Sequence, residues 1–193
     1  AADEIRAELK AVLQADRGLV PRIQDRRDVP HGDTHGLLDS RDWSAFYLCR
    51  DGVTVEENAA QCPKTMAALA NAPLPRIKGR APSVLFSVLK PGVHVAAHHG
   101  RLNTMLTCHL PLEAPAGASL RVGDDRREWR YAKAWAFDDS IEHEWRNPGG
   151  ETLAVLSFDV WRPEMSEQER SAVAALLEAM DAYGSGPRVE WTA

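Results

Sequence analysis

Two histidines, His98 and His143, have the clearest capacity for chemistry in this chain, because each lies in a stretch that sets an imidazole where a strand meets a loop. The first stretch runs from Lys90 to Asn103, opens on Pro91 and Gly92, and places His98 and His99 directly before Gly100. The second runs from Phe137 to Trp145 and places His143 just after Asp138, Asp139 and Glu142. The residues between them read as short strands, and a β-barrel is one way to bring two such distant imidazoles to a single metal ion. Imidazole suits iron, copper, nickel and zinc, so residue type and spacing leave the metal open.

The elements that must position this pair lie mostly between Ser83 and Trp161, where strand-like runs are broken by Pro and Gly turns. Strands are predicted at roughly 83–90, 104–110, 119–122, 127–131, 134–137 and 152–160. The period of two in a strand puts Met105, Thr107 and His109 on one face of the second run and Leu106, Cys108 and Leu110 on the other. In the last run Leu153, Val155, Ser157 and Asp159 share a face. Polar residues that face a barrel interior need partners, which a metal pocket would supply. The expected fold is therefore mainly β, a double-stranded β-helix (a jelly roll of the cupin kind) with flanking N- and C-terminal helices.

Helical signals stand at both ends. Ile5, Leu9, Val12 and Leu13 recur at helical spacing, with Asp3 as a candidate cap. Pro63 fits the first position of a short helix that ends before Pro73 and Pro75. Ser166 followed by Glu169 makes a capping box for a helix with Val173, Leu176, Leu177 and Met180 on its apolar face, stopping at Gly184. The polar stretch from Gly18 to Asp42 is long enough to be a lid or binding loop.

At 193 residues the chain is expected to be one domain, with its core at about 83–161. Its net charge of -5 supplies no basic stripe, which argues against nucleic acid as a partner. No apolar run has the length of a membrane span, no secretory signal opens the chain, and a reducing cytoplasm is the expected location. Cys49, Cys62 and Cys108 suggest neither disulfides nor a zinc knuckle. The chain begins at Ala1 without a Met, so a trimmed N-terminus or a fragment is expected. His31, His35 and His94 lie in no such motif and read as satisfied histidines; His99 reads equally as ligand, substrate contact or solvated residue.

From about Trp43 to about Arg170 the chain resembles the aspartyl/asparaginyl β-hydroxylase family of iron(II)- and 2-oxoglutarate-dependent oxygenases. The resemblance is carried by Ser87 through Gly92, by His98, Gly100 and Asn103, by His109 through Leu112, by Leu120 through Gly123, by Phe137 through Glu144, and by Asp159 through Glu164. It implies iron(II) ligands at His98 and His143, with glycine (Gly100 here) where the usual two-histidine, one-carboxylate triad has its acid. It implies a cosubstrate pocket at Ser87 and His109; Thr107, on the same face as His109, can donate to it as well. Asp138, Asp139 or Glu142 would accept the outer N–H of a ligand imidazole.

The family pattern also has an arginine ten residues beyond the second ligand and another near the His109 strand, where this chain has Leu153 and Met105. Neither side chain replaces a guanidinium fork, and losing one charge-assisted pair costs roughly 1.5–3 kcal/mol. The expected activity is hydroxylation of an unactivated carbon in an amino acid, carrier-tethered amino acid or peptide side chain, using iron(II), 2-oxoglutarate and O2. Two alternatives stand beside it. One is a non-haem iron oxygenase or oxidase that does not use 2-oxoglutarate, and the other is a non-enzymatic cupin-like protein that binds a metal or ligand.

Overall fold

The computed structural model of the protein describes residues 1–24, 36–100 and 102–184. The middle of the expected lid, with Arg26, Arg27, His31 and His35, lies outside the described residues, as does Arg101. The chain opens with helix α1 (Ala2–Ala15) and strands β1 (Val20–Pro21), β2 (Trp43–Arg50) and β3 (Val53–Thr54). Two short helices follow, α2 (Glu56–Ala59) and α3 (Pro63–Leu69). Then come β4 (Val84–Leu89), β5 (His94–His98), β6 (Met105–Glu113), β7 (Ser119–Val122) and β8 (Asp125–Glu128). The chain continues through β9 (Trp135–Phe137), β10 (His143–Arg146) and β11 (Leu153–Trp161) to the last described helix, α4 (Glu167–Gly184).

The strands form two antiparallel sheets: a large one in the order β1-β2-β4-β11-β6-β9, with β3 on β2, and a small one in the order β5-β10-β7-β8. This is the mainly β, jelly-roll arrangement that the strand spacing predicts. The large sheet is covered on both faces. Phe46, Leu48, Val84, Phe86, Val88 and Leu156 pack outward under Ile5, Leu9 and Val12 of α1. Trp43, Leu89, Leu153 and Val155 pack inward against Val95, Leu120 and Trp145 of the small sheet. Burial on two faces makes β2 and β4 nearly continuous apolar runs, which hide the strand period in the sequence. β2, second along the large sheet, is not among the expected strands, whereas β4, as apolar but set off by Pro82 and Pro91, and β6 and β11, polar on half of one face, are.

Smaller differences have local causes. Asp3 does not cap α1: the N-cap is Ala1, without a side-chain bond, and the Asp3 carboxylate instead accepts from the Tyr131 hydroxyl. Pro63 opens α3 as expected. The capping box also forms, with Ser166 N donating to Glu169 Oε2 at 2.8 Å and Glu169 N to Ser166 Oγ at 3.3 Å. Of the apolar stripe on α4, Leu177 is buried against Trp161 and Ile77, while Leu176 and Met180 face outward. The strand expected at about 127–131 lies at Asp125–Glu128, four exposed residues at the sheet edge, where burial leaves no pattern to read. The three cysteines are free. No described helix is long and apolar enough to cross a membrane.

The described flanks of the polar Gly18–Asp42 stretch are tied to the barrel. Val20 and Pro21 pair with Ala45 and Ser44, the Arg22 amide donates to Trp43 O at 2.8 Å, and Ile23 bridges Leu38. Ile23 and Leu37 are buried in the inner core.

Candidate metal centre and its pocket

His98 ends β5 and His143 begins β10, and the two strands pair in a register that sets these residues opposite each other. Their rings lie 4.2 Å apart, centroid to centroid. Each Nδ1 lies against the carbonyl two residues earlier in the chain: His98 on Ala96 O at 2.8 Å, His143 on Ile141 O at 2.9 Å. A carbonyl oxygen only accepts, so each Nδ1 carries the proton and each Nε2 keeps its lone pair. Burial holds both imidazoles below the usual histidine range; the His98 ring adds to the effect on His143, which falls to about 4, and Arg22 and His99 add to it on His98. At neutral pH both are uncharged. Two neutral, side-by-side imidazoles with Nε2 free are what a divalent transition metal requires of histidine ligands.

The N–H acceptors are therefore backbone carbonyls and not the carboxylates named from the sequence. Asp138 takes hydrogen bonds from the Ser140 amide and hydroxyl and pairs with Arg162. Glu142 pairs with Arg121 on the outer face. Asp139 alone of the three lines the cavity. Burial pushes its carboxyl up to about 6, helped by the nearby Asp159 and Asp138 charges. Its backbone carbonyl accepts from the Gly100 amide at 2.7 Å, and a Cβ placed on Gly100 would fall on the Asp139 carboxylate. Gly100 is thus the space into which Asp139 fits. Asp139, on the β9–β10 connection, sits against the residue two past His98 and on the wall of the same cavity. Among the described residues no group of three or more His, Cys, Asp or Glu side chains is set to hold a metal.

The cavity beside this pair measures about 380 Å³, the size of a small-molecule site. Met105, Thr107 and His109 face it from β6, and Ser157 and Asp159 from β11, as the period-two pattern requires. His109 is buried, held neutral with its pKa pushed down to about 3, and its Nδ1 has no partner. Trp145 Nε1, also on the cavity wall, is buried and unpartnered. Ser87 Oγ accepts from Trp43 Nε1 at 2.9 Å, which leaves its own proton to donate. Thr107 differs from expectation, because its hydroxyl donates to Asp159 Oδ1 at 3.1 Å. Leu153 is fully buried in the inner core and does not reach the cavity; Met105 does.

The remaining residues divide cleanly. His94 bonds Glu144, and His99 sits at the cavity edge with Nδ1 against Ser140 O. Arg121 and Arg146 are held by Glu144 on the other side of the small sheet. Two arginines line the cavity, Arg50 and Arg22, and sequence reasoning missed Arg22. It lies far from both histidine motifs in a polar stretch, and no local signal marks it.

A family model described as Aspartyl/Asparaginyl beta-hydroxylase matches residues 1–163. The human protein named aspartyl/asparaginyl beta-hydroxylase is 33% identical over 89% of this chain and 21% of its own length. The ornithine lipid ester-linked acyl 2-hydroxylase of Rhizobium tropici is 37% identical over 82% of this chain and 54% of its own. Human aspartate beta-hydroxylase domain-containing protein 2 is 31% identical over 75% of this chain and 40% of its own. The chain thus spans about a fifth to a half of these relatives. A solved structure of a predicted oxalate decarboxylase from Thermotoga maritima overlays 62% of this chain and 81% of its own, with a TM-score of 0.40 and 12% identity, a likeness too slight to bear on chemistry.

Proposed function

This chain belongs to the aspartyl/asparaginyl beta-hydroxylase family, and from that premise we propose that it is a hydroxylase whose His98 and His143 hold a non-haem iron(II). The observation that carries the reading is the matched pair of imidazoles, each with Nδ1 bonded to a carbonyl and Nε2 free. Iron(II), with 2-oxoglutarate and dioxygen as co-reactants, supplies the oxidising power to hydroxylate an unactivated carbon. The chain's own residues bind, orient and exclude water. Ala96 O and Ile141 O fix the ring planes and tautomers of the ligands, so the lone pairs do not have to be reoriented when metal arrives. The Asp139 carboxyl fills the space that Gly100 leaves, and its backbone carbonyl holds the Gly100 amide. With its pKa raised to about 6, it is able to hold or release a proton there.

The same wall suits a 2-oxo acid. Ser87 Oγ, His109 and Trp145 Nε1 are buried groups with a proton to give, and a carboxylate that accepts from them satisfies polar atoms that otherwise stay orphaned. Thr107 is committed to Asp159 and is left out of that set. The relatives' names place hydroxyl groups on aspartyl or asparaginyl side chains in one case and on an ester-linked acyl chain in another. Family membership therefore leaves the substrate to the cavity, and an amino acid, free or tethered, or a peptide side chain fits its polar lining.

One observation favours a second reading. Leu153 lies in the core, and Met105 presents a thioether to the cavity where the family pattern has arginines, so an iron oxygenase that does without 2-oxoglutarate fits the same metal centre. Anaerobic titration of the iron(II)-loaded protein with 2-oxoglutarate separates the two. A saturable visible charge-transfer band is expected on the first reading. Iron bound with no band would retire 2-oxoglutarate and leave the second.

A further inference from the structure

The cavity has a cationic side that the metal centre does not use. Arg22 and Arg50 both line it, and they are in different situations. Arg50 is engaged: both terminal nitrogens donate to Gln24 Oε1 at 3.3 Å, Nε lies 3.7 Å from Asp51, and the group sits over the Tyr47 ring. The Arg22 guanidinium makes no hydrogen bond or ion pair among the described residues, although the side chain is partly buried. It lies over the Trp43 ring, 5.5 Å from the centroid. That ring in turn is 6.3 Å from the His98 ring and donates to Ser87. The charge is felt inside the cavity, where it acts on both His98 and Asp159.

The backbone beneath Arg22 is fixed. Its amide donates to Trp43 O, Pro21 pairs with Ser44, and Ile23 is buried. A guanidinium held over an aromatic face keeps its N–H donors available in its own plane, and five donors with no acceptor among the described residues form an unfinished contact. The acceptor that completes a planar fork is a carboxylate.

We propose that Arg22 binds a carboxylate of the molecule that occupies this cavity, doing from the β1 side what Leu153 and Met105 cannot do from the barrel strands. The assignment deepens the oxygenase reading, on which it rests only for the source of the carboxylate: the distal end of a 2-oxo dicarboxylate or an acidic group of the substrate. Both sources present the same chemistry to the guanidinium.

The test is calorimetric titration of the full chain, metal-free and anaerobically loaded with iron(II), with three probes. These are 2-oxoglutarate, 2-oxovalerate (a methyl group in place of the distal carboxylate) and L-aspartate. Wild type, Arg22→Gln and Arg22→Lys are compared, with thermal unfolding to show that each variant is folded. If the carboxylate is that of the cosubstrate, wild type prefers 2-oxoglutarate over 2-oxovalerate by roughly ten- to a hundredfold, Arg22→Gln erases the preference, and Arg22→Lys restores part of it. If it is that of the substrate, the preference survives in Arg22→Gln, while L-aspartate loses about tenfold or more. Affinities for all three probes that are the same in wild type and Arg22→Gln would overturn the assignment. A wild type that takes up no iron(II) sinks the oxygenase reading instead, and the metal-free titrations still decide Arg22.

Discussion

A histidine that gives its Nδ1 proton to the carbonyl two residues behind it has a single lone pair left to offer, and His98 and His143 both do this. The device is local, needs no acidic partner, and leaves Asp139 free for the cavity. The fit of Asp139 against Gly100 gives a direct expectation at this scale. In Gly100→Ala the new methyl and the Asp139 carboxylate compete for one space, so the β9–β10 connection must shift. The variant should lose about 1–3 kcal/mol of stability by chemical denaturation, the usual cost of overpacking. It should also bind iron(II) more weakly, because His143 follows the displaced segment. A variant as stable as wild type and unchanged in iron affinity would show that Asp139 has room elsewhere.

At the scale of elements, the site is a strand-pairing result. The β5–β10 register sets His98 and His143 opposite each other, and β10 is paired along both its edges. On its outer face Glu144 is buried, yet Arg126, His94 and Arg121 hold its carboxyl down to about 2. At its end Asn147 donates to the carbonyls of Leu89, Lys90 and Glu151, stitching β10 to the end of β4. What the sequence reveals of this follows from periodicity. The cavity face of β6 is legible as Met105, Thr107 and His109 because that strand is polar on one side and apolar on the other. The apolar runs of β2 and β4 carry no such alternation. The histidine motifs are legible as a facing pair, but the direction of a backbone carbonyl is not written in side chains, so carboxylates stood in for Ala96 O and Ile141 O. Arg22 reaches the cavity through the pairing of β1 with β2, a long-range contact that composition does not announce.

Considered as a whole molecule, the protein encloses its chemistry between two sheets, and the burial that keeps the histidines neutral ties stability to pH. Unfolded, His109 and His143 take up protons near pH 6.5; folded, they resist until about 3 and 4. Between those values the unfolded state binds more protons, so stability falls as pH falls from about 6.5 towards 4. Asp139 works the other way, since its raised pKa of about 6 makes the folded state the one that gains a proton between about 6 and 3.8. His98 is depressed as well and Asp159 is raised like Asp139, so three depressed histidines, with the lowered Glu144, outweigh two raised carboxyls. Urea unfolding of the metal-free protein should therefore show a midpoint that drops across this window, and a flat or rising midpoint would contradict the burial of the imidazoles. The proposed role of these same imidazoles is to hold the iron. It is tested most directly by metal content after anaerobic loading with iron(II) and removal of excess, in wild type and in the double variant His98→Ala, His143→Ala. One iron per wild-type chain and none in the folded double variant is the predicted result; equal stoichiometry in the two proteins would contradict it.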